Sequence, residues 1–302
     1  MSQDLTVKKL NLLFIPFLLI SISICAVYTF LNWLLIIKFE LFSVREDLVE
    51  IIVPLVLPVI VYFLFFRARI RILNLKTDIN RLPVFYFIML WIALSIPNII
   101  IQGFLPKAVG KLTHLHGINE IDSHKPSKYY SLNQFAIDKK NVGINAFYDI
   151  SGKNNTNYDI YIYVVFPMIT SGVNNVSCKA FLGVKYFKSI SNKLSAREKQ
   201  DNFDALASIS NYEIEHNSFD DFSYLERIGN TNDTDGYKDA ILHCSKYDRS
   251  IAPVLIAHKE PFGDRLHHQS IWIFISFIIS GAIWLIMVLI PEIDAEALKR
   301  FS

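Results

Sequence analysis

The sequence predicts a multi-pass α-helical membrane protein with four transmembrane helices and an inserted α+β extracytoplasmic domain containing a mainly antiparallel sheet. Three observations carry this prediction. Apolar runs at about residues 10–37, 51–66, 82–105 and 270–290 approach or exceed the ~20 residues that cross a bilayer core. Between the third and fourth lies a polar stretch, 106–269, whose aromatic and β-branched runs are broken by turn residues. Between the second and third lies a short basic segment, 67–81, with Arg67, Arg69, Arg71, Lys76 and Arg81 against the single acid Asp78.

That basic segment sets the topology, because short loops rich in Lys and Arg stay in the cytoplasm. The inside segments then carry nine basic residues: Lys8, Lys9, the five just named, Lys299 and Arg300. The short outside loop carries two, Lys38 and Arg45. The prediction is an integral protein of a bacterial inner or plasma membrane with both termini cytoplasmic. Residues 1–105 hold three helices, 106–269 lie outside, and 270–302 hold the last helix and a short cytoplasmic tail.

The first run, 10–37, has no charged residue and is too long for the apolar region of a signal peptide, so it reads as a retained span. Trp33 near its far end suits an interfacial anchor. In the mixed loop that follows, Ser43-x-x-Glu46 has the form of a capping box ahead of the second span. Pro54 and Pro58 make that span either a gating hinge or a bent packing helix. The third opens on Pro83, tolerated in a first turn. At Pro97-Asn98 it either bends or ends early, leaving 99–105 at the outer interface. The fourth carries Trp272 and Trp284 and closes at Pro291. No Asp, Glu, Lys, Arg or His lies well inside any run, which argues against a proton-coupled transporter or charged pore. Ser21, Ser23, Asn32, Ser95, Asn98 and Ser280 are left to join helices by hydrogen bonds.

In the polar stretch, strands are expected at 129–138, 142–150, 158–169 and 176–190, separated by turn signals at 139–141, 151–155 and Ser171-Gly172. The sheet needs a cover. Ser195-x-x-Glu198 opens a helix to about residue 211, with Phe203, Leu206 and Ile209 at helical spacing. A second helix covers 235–245, with Tyr237, Ala240, Ile241 and Cys244 on one side, and 252–258 reads as a closing strand. Residues 105–269 carry 19 basic and 19 acidic side chains, so the domain has no electrostatic footprint for nucleic acid.

Candidate chemistry is sparse. His114 and His116, at i and i+2, share a face if they lie on a strand, and with His124 they are a weak metal candidate. Polar residues on a connector explain them equally well, and His267-His268 reads as an interfacial pair. Asp233, Asp235 and Asp239 lie in a stretch that partly matches a calcium loop, but Thr231 and Leu242 occupy the two key carboxylate places. The plainer reading is a turn in which Asp233 or Asp235 caps the next helix. Cys25 reads as a small buried hydrophobe. Cys178 and Cys244 either form a disulfide, if the domain faces an oxidising compartment, or are two separate buried thiols. Asn154, Asn175 and Asn232 head Asn-x-Ser/Thr sequences. No nucleophile elbow, phosphate loop or metalloprotease histidine pair occurs, and no cofactor is indicated.

Lys128-Tyr129-Tyr130, Ile137-Asp138-Lys139, Ser151-Gly152-Lys153 and Leu225-Glu226-Arg227-Ile228-Gly229-Asn230, with the last span, resemble a region found ahead of the protease domain in some bacterial rhomboid-type intramembrane serine proteases. The resemblance covers most of 111–290. The catalytic half is missing: Ser280-Gly281 follows Ile278-Ile279, where a Gly-x-Ser-Gly serine would need a glycine, and no span holds a histidine. The resemblance implies an accessory module acting beside a separate protease, with no catalytic residue to carry over.

The function expected from these features is non-catalytic: a chain seated in the lipid bilayer whose outer domain binds a protein or envelope partner. Two alternatives make different predictions. A membrane-anchored enzyme with a dispersed site needs a polar pocket around His114, His116 or His243. A transporter or channel component needs a water-lined path between the proline-containing spans.

Overall fold

Proline has no N–H to give to the preceding turn, and that turn widens. In the first two long helices such turns precede a proline, although the same helices also form them at Trp33–Lys38 and Tyr62–Phe66 without one. In the computed structural model, which describes residues 2–39, 41, 44–75, 82–170, 178–244, 247, 252–266, 268–294 and 297–298, π-type turns at Leu10–Phe14 and Leu48–Ile52 run directly up to Pro16 and Pro54. The helices are α1 (Leu5–Lys38), α2 (Leu48–Ile70), α3 (Leu82–Val109), α4 (Ala196–His216), α5 (Asn232–Leu242) and α6 (Gln269–Leu289). Of these, α1, α2, α3 and α6 are long and apolar enough to cross a membrane. The chain divides into a helical unit, Met1–Val109 with Leu266–Ser302, and a polar unit, Gly110–Arg265.

Within the helical unit, Trp284 of α6 is fully buried and meets one ring from each of the other three helices. Phe17, Phe66 and Tyr86 lie 5.5, 6.1 and 6.4 Å away between ring centres. The Tyr86 hydroxyl donates to the Met287 carbonyl at 2.7 Å. The segments after α2 and α6 pair through an antiparallel bridge between Leu73 and Ile293, and Lys9 Nζ donates to the carbonyls of Leu289 and Pro291.

Several details depart from expectation. Arg67 and Arg69 lie in the last helical turn of α2 rather than in a loop, with Arg71 in the turn after it. Cations there suit the negative end of the helix dipole, and Arg69 Nη1 donates to the Leu12 carbonyl at 2.9 Å. Lys76 and Arg81 lie outside the described residues, as do Ser43, Ser171, Gly172, Asn175, His267, Lys299 and Arg300. α2 begins at Leu48 and so takes Glu50 into the helix, because the helix outruns the apolar run by several residues. α3 runs unbroken through Pro97 and Pro106 to Val109, so it does not end early.

The polar unit is built on one eight-stranded mixed sheet. Its strands are β1 (Leu112–Gly117), β2 (Tyr129–Gln134), β3 (Ala136–Ile137), β4 (Gly143–Ser151), β5 (Asn157–Ile169), β6 (Ala180–Ser191), β7 (Tyr224–Arg227) and β8 (Val254–His258). The order is β1-β2-β7-β8-β6-β5-β3, with β4 also paired to β5. β4-β5-β6 form three strands of the expected meander, but the expected strand 129–138 is split into β2, which pairs with β1 and β7 instead, and the two-residue β3, which pairs with β5. β1/β2 and β6/β8 are parallel pairs, and the other pairings are antiparallel. β1 and β7 replace what read as connectors.

β5 is the hub, and each face of it makes a different core. Ile160, Ile162, Val164 and Phe166 pack with Leu206 of α4 on one face. α4 opens on the expected capping box, Ser195 N–H donating to Glu198 Oε2 at 2.8 Å and Glu198 N–H to Ser195 Oγ at 3.3 Å. On the other face Tyr163 and Val165 pack with Tyr237, Ala240 and Ile241 of α5. That approach is close enough to require glycine: a Cβ on Gly143 would stand 2.1 Å from the Ala240 carbonyl oxygen. A Cβ on Gly236 would stand 2.5 Å from the Tyr163 ring.

Candidate partner-binding face

Antiparallel register decides which side chains share a face, and here it assembles one that no single strand displays. Phe147, Tyr161 and Phe187 are cross-strand partners on β4, β5 and β6. One step along, Asn145, Tyr163 and Lys185 align; one step the other way, Asp149, Asp159 and Ser189 align. α5 covers only the far end of this face. Along β6, positions 185, 187, 189 and 191 are exposed while 184, 186, 188 and 190 are half-buried, so the side carrying Phe187 is the open one.

The rings form a row. Phe147 stacks on Tyr161 at 5.3 Å and on Tyr163 at 5.8 Å, and Tyr161 meets Phe187 at 5.0 Å. Phe147 is 39% and Phe187 52% exposed, large apolar area for a sheet face. At one end Lys185 Nζ lies 5.2 Å from the Tyr161 ring centre and 2.6 Å from Asp233 Oδ1. The Tyr163 hydroxyl also donates to Asp233 Oδ1 at 2.6 Å. Burial, followed by that bond, pushes the Tyr163 hydroxyl pKa up.

At the other end stand two carboxylates. Asp149 and Asp159 are directly opposed across strands. Asp159 is 6% exposed; its Oδ2 accepts from Ser151 Oγ at 2.5 Å, while its Oδ1 is buried without a partner. The Ser151 hydrogen bond, aided by the Ser189 hydroxyl of the residue opposite on β6, holds the Asp159 carboxyl below its ordinary value, so it stays ionised at neutral pH. Asp149 Oδ1 accepts the Ile150 N–H at 2.8 Å.

A second polar cluster lies at the ends of β7 and β8. His258 lies between two carboxylates, Nε2 at 3.0 Å from Glu226 and Nδ1 at 3.0 Å from Glu260, with the Tyr224 ring stacked on it at 4.7 Å. The Glu226 bond raises the His258 pKa, against the opposing pull of burial. Burial alone would raise Glu226, but His258 and Lys128 outweigh it and hold that carboxyl low. A ring whose two nitrogens both face carboxylates is held as the imidazolium.

The residues singled out from sequence are scattered. His114 and His116 share the exposed face of β1, and the His124 Nδ1 atom bonds the Glu120 carbonyl at 3.0 Å. Asp233 belongs to the Tyr163–Lys185 cluster, Asp235 lies 3.4 Å from Lys238, and Asp239 is exposed on α5. Neither Asp233 nor Asp235 caps α5. Thr231 holds that place, its N–H donating to Thr234 Oγ1 at 2.9 Å, because a hydroxyl three residues on reaches back to it. Among the described residues no three His, Cys, Asp or Glu side chains are grouped to hold a metal ion. Cys178 and Cys244 lie beside the α5 core with no disulfide between them, Cys244 Sγ donating to the Asn141 carbonyl at 3.4 Å, and burial pushes the Cys178 thiol up to about 12.

In the helical unit the informative residues are amides. Asn32 Nδ2 donates to Gln102 Oε1 at 2.7 Å, and Gln102 Nε2 donates to Thr29 Oγ1 at 3.0 Å and Asn98 Oδ1 at 3.3 Å. Asn98 Nδ2 and Ser95 Oγ are buried without partners. Beside this network an apolar groove of about 540 Å³ is lined by Cys25, Thr29 and Trp33 of α1, Ile101 and Leu105 of α3, and Phe277 of α6.

Sequence reasoning missed Phe147, Asp149, Asp159, Tyr161, Lys185 and Phe187 as a group. Each strand does show a ring two positions from a charge, as in Phe147-x-Asp149, Asp159-x-Tyr161 and Lys185-x-Phe187. The four membrane-length helices and the sheet define a class, a multi-pass membrane protein carrying a mixed-sheet α+β unit. Compared with known proteins, the chain matches no family model, no curated protein and no solved structure.

Proposed function

We propose that this chain is a non-catalytic integral membrane protein whose polar unit, residues 106–269, is an extracytoplasmic receptor for a protein partner. The observation that carries the reading is the open ring row Phe147–Tyr161–Phe187, with an ion pair at one end and two carboxylates at the other. Exposed aromatic area rimmed by charge is the composition of a recognition patch. The orientation has both termini in the cytoplasm. It is supported by the nine-to-two distribution of basic residues, and three contacts tie the basic end of α2 and the segment after α6 to the start of α1 and to each other: Lys9 to the Leu289 and Pro291 carbonyls, Arg69 to the Leu12 carbonyl, and the Leu73–Ile293 bridge. The resemblance to the region ahead of rhomboid protease domains makes a membrane protease the first partner to seek.

The test is crosslinking in intact membranes, then purification and mass spectrometry. A stoichiometric partner lost on Phe147→Ala/Phe187→Ala supports the receptor reading; recovery of the chain alone overturns it. A membrane-anchored enzyme is the second reading, favoured by His258 between two carboxylates. It requires a turnover that His258→Gln abolishes while the fold is kept.

A further inference from the structure

The partner segment can be specified from the edge strand and the two carboxylates, if the ring row is the docking face just described. β4 is an edge: among the described residues it pairs with β5 and with no other strand. It is nine residues long, every residue from 146 to 150 is exposed, and it carries none of the Lys, Arg or Pro residues that commonly blunt such edges. Its outward backbone groups are therefore open to an added strand. Asp149 sits on it directly opposite Asp159, a like-charge pairing that costs stability when nothing lies between. Asp159 is buried, yet its Oδ1 has no partner, and among the described residues neither carboxylate has a basic side-chain partner. Within the same face Lys185 shows what these rings accept, its ammonium lying 5.2 Å from Tyr161 and 6.0 Å from Phe187.

We propose that β4 takes up an extended, arginine- or lysine-bearing segment of the partner protein as an added strand, and that the cationic head of one side chain lies against Asp149 and Asp159 beside the ring row. An added strand would run about 4.8 Å from β4. A long basic side chain opposite Asp149 spans one such step inward over the rings. A neutral glycan would also stack on rings, but it leaves the opposed carboxylates uncompensated.

The test uses the full chain in nanodiscs of zwitterionic lipid. The probe is a fluorescein-labelled nine-residue peptide of alternating threonine and arginine, compared with the same peptide carrying citrulline, which keeps the shape and removes the charge. The arginine peptide is expected to bind about tenfold more tightly, the scale of a partly desolvated cation–π and carboxylate contact. Asp149→Asn/Asp159→Asn should bring the two peptides level. Asp149→Asn alone, at an exposed position, should lower the preference while raising the thermal midpoint, since it removes the opposed charge. Equal binding of both peptides to the unaltered chain overturns the proposal, as does an arginine preference that survives both substitutions. Displacement of the arginine peptide by chitohexaose also overturns it and points to a glycan. Phe187→p-benzoylphenylalanine separates the two levels of the argument. Photocapture of a partner from membranes without arginine preference keeps the docking face and removes its cationic ligand; no photocapture removes the face itself.

Discussion

Single side chains set the tolerances of this molecule. Gly143 permits α5 to lie on β4, with no room for a methyl group between it and the Ala240 carbonyl. Gly143→Ala should therefore destabilise the polar unit by about 1–3 kcal/mol, read as a fall in the urea midpoint at unchanged slope. The His258 cluster makes stability depend on pH with a definite sign. Its raised pKa contributes fully below the ordinary imidazole value of about 6.5, and the contribution fades as pH rises through the raised value. Glu226 and Glu260, both lowered, contribute above the ordinary carboxylate range and lose that contribution on acidification. His258→Gln should thus lower the thermal midpoint most in mildly acidic buffer, and less as the pH moves to 8 and beyond. A loss that is the same at every pH would show that the ring acts by packing alone. The residues carrying these effects were hard to see beforehand. His258 stood in the expected last strand, but Glu226 belongs to β7, whose position beside β8 no local pattern announces.

Among the elements, those with strong local signals were legible. α4 declared itself by a capping box and by Phe203 and Leu206, and α5 by the spacing of Tyr237, Ala240 and Ile241. The β4-β5-β6 meander was readable from alternation and from a turn in which Gly152, Asn154 and Asn155 all take positive φ. β1 and β7 were not, since six and four residues are too few to establish a period and their partners lie far away in sequence. The membrane-length helices were clear, but their ends were not: helix continues past the last apolar residue wherever the chain can satisfy its end groups. The amide network between α1 and α3 gives a test at this scale. Gln102→Ala strands Asn32 and should cost the helical unit about 0.6–2 kcal/mol, measured by unfolding in mixed micelles. Asn98→Leu removes a donor that already lacks a partner and one long bond from Gln102, which keeps its bond to Thr29, so it should cost less than Gln102→Ala in the same assay.

At the scale of the whole molecule, the two units have separate cores. The clusters around Trp284 and around β5 share no residue. Gly110–Arg265 produced alone should fold cooperatively, with coincident loss of far- and near-ultraviolet circular dichroism on heating. Non-coincident transitions would show that this unit borrows its order from the helices. The proposed orientation has its own check: Ser151→Cys in intact cells should react with a membrane-impermeant maleimide. Protection of that thiol until the cells are opened would reverse the topology. The strand order carries a consequence for how the protein is made. β8 is the last strand to leave the ribosome, yet it lies between β7 and β6 and joins the two halves of the sheet. Until residue 258 emerges, β6 and β7 each present a bare hydrogen-bonding edge, with well over a hundred residues of the unit already synthesised. The nascent chain must therefore be shielded from strand-swapping neighbours until just before its final helix is delivered to the bilayer. A stop codon anywhere ahead of Val254 should yield a product that clumps or is degraded rather than a smaller working domain.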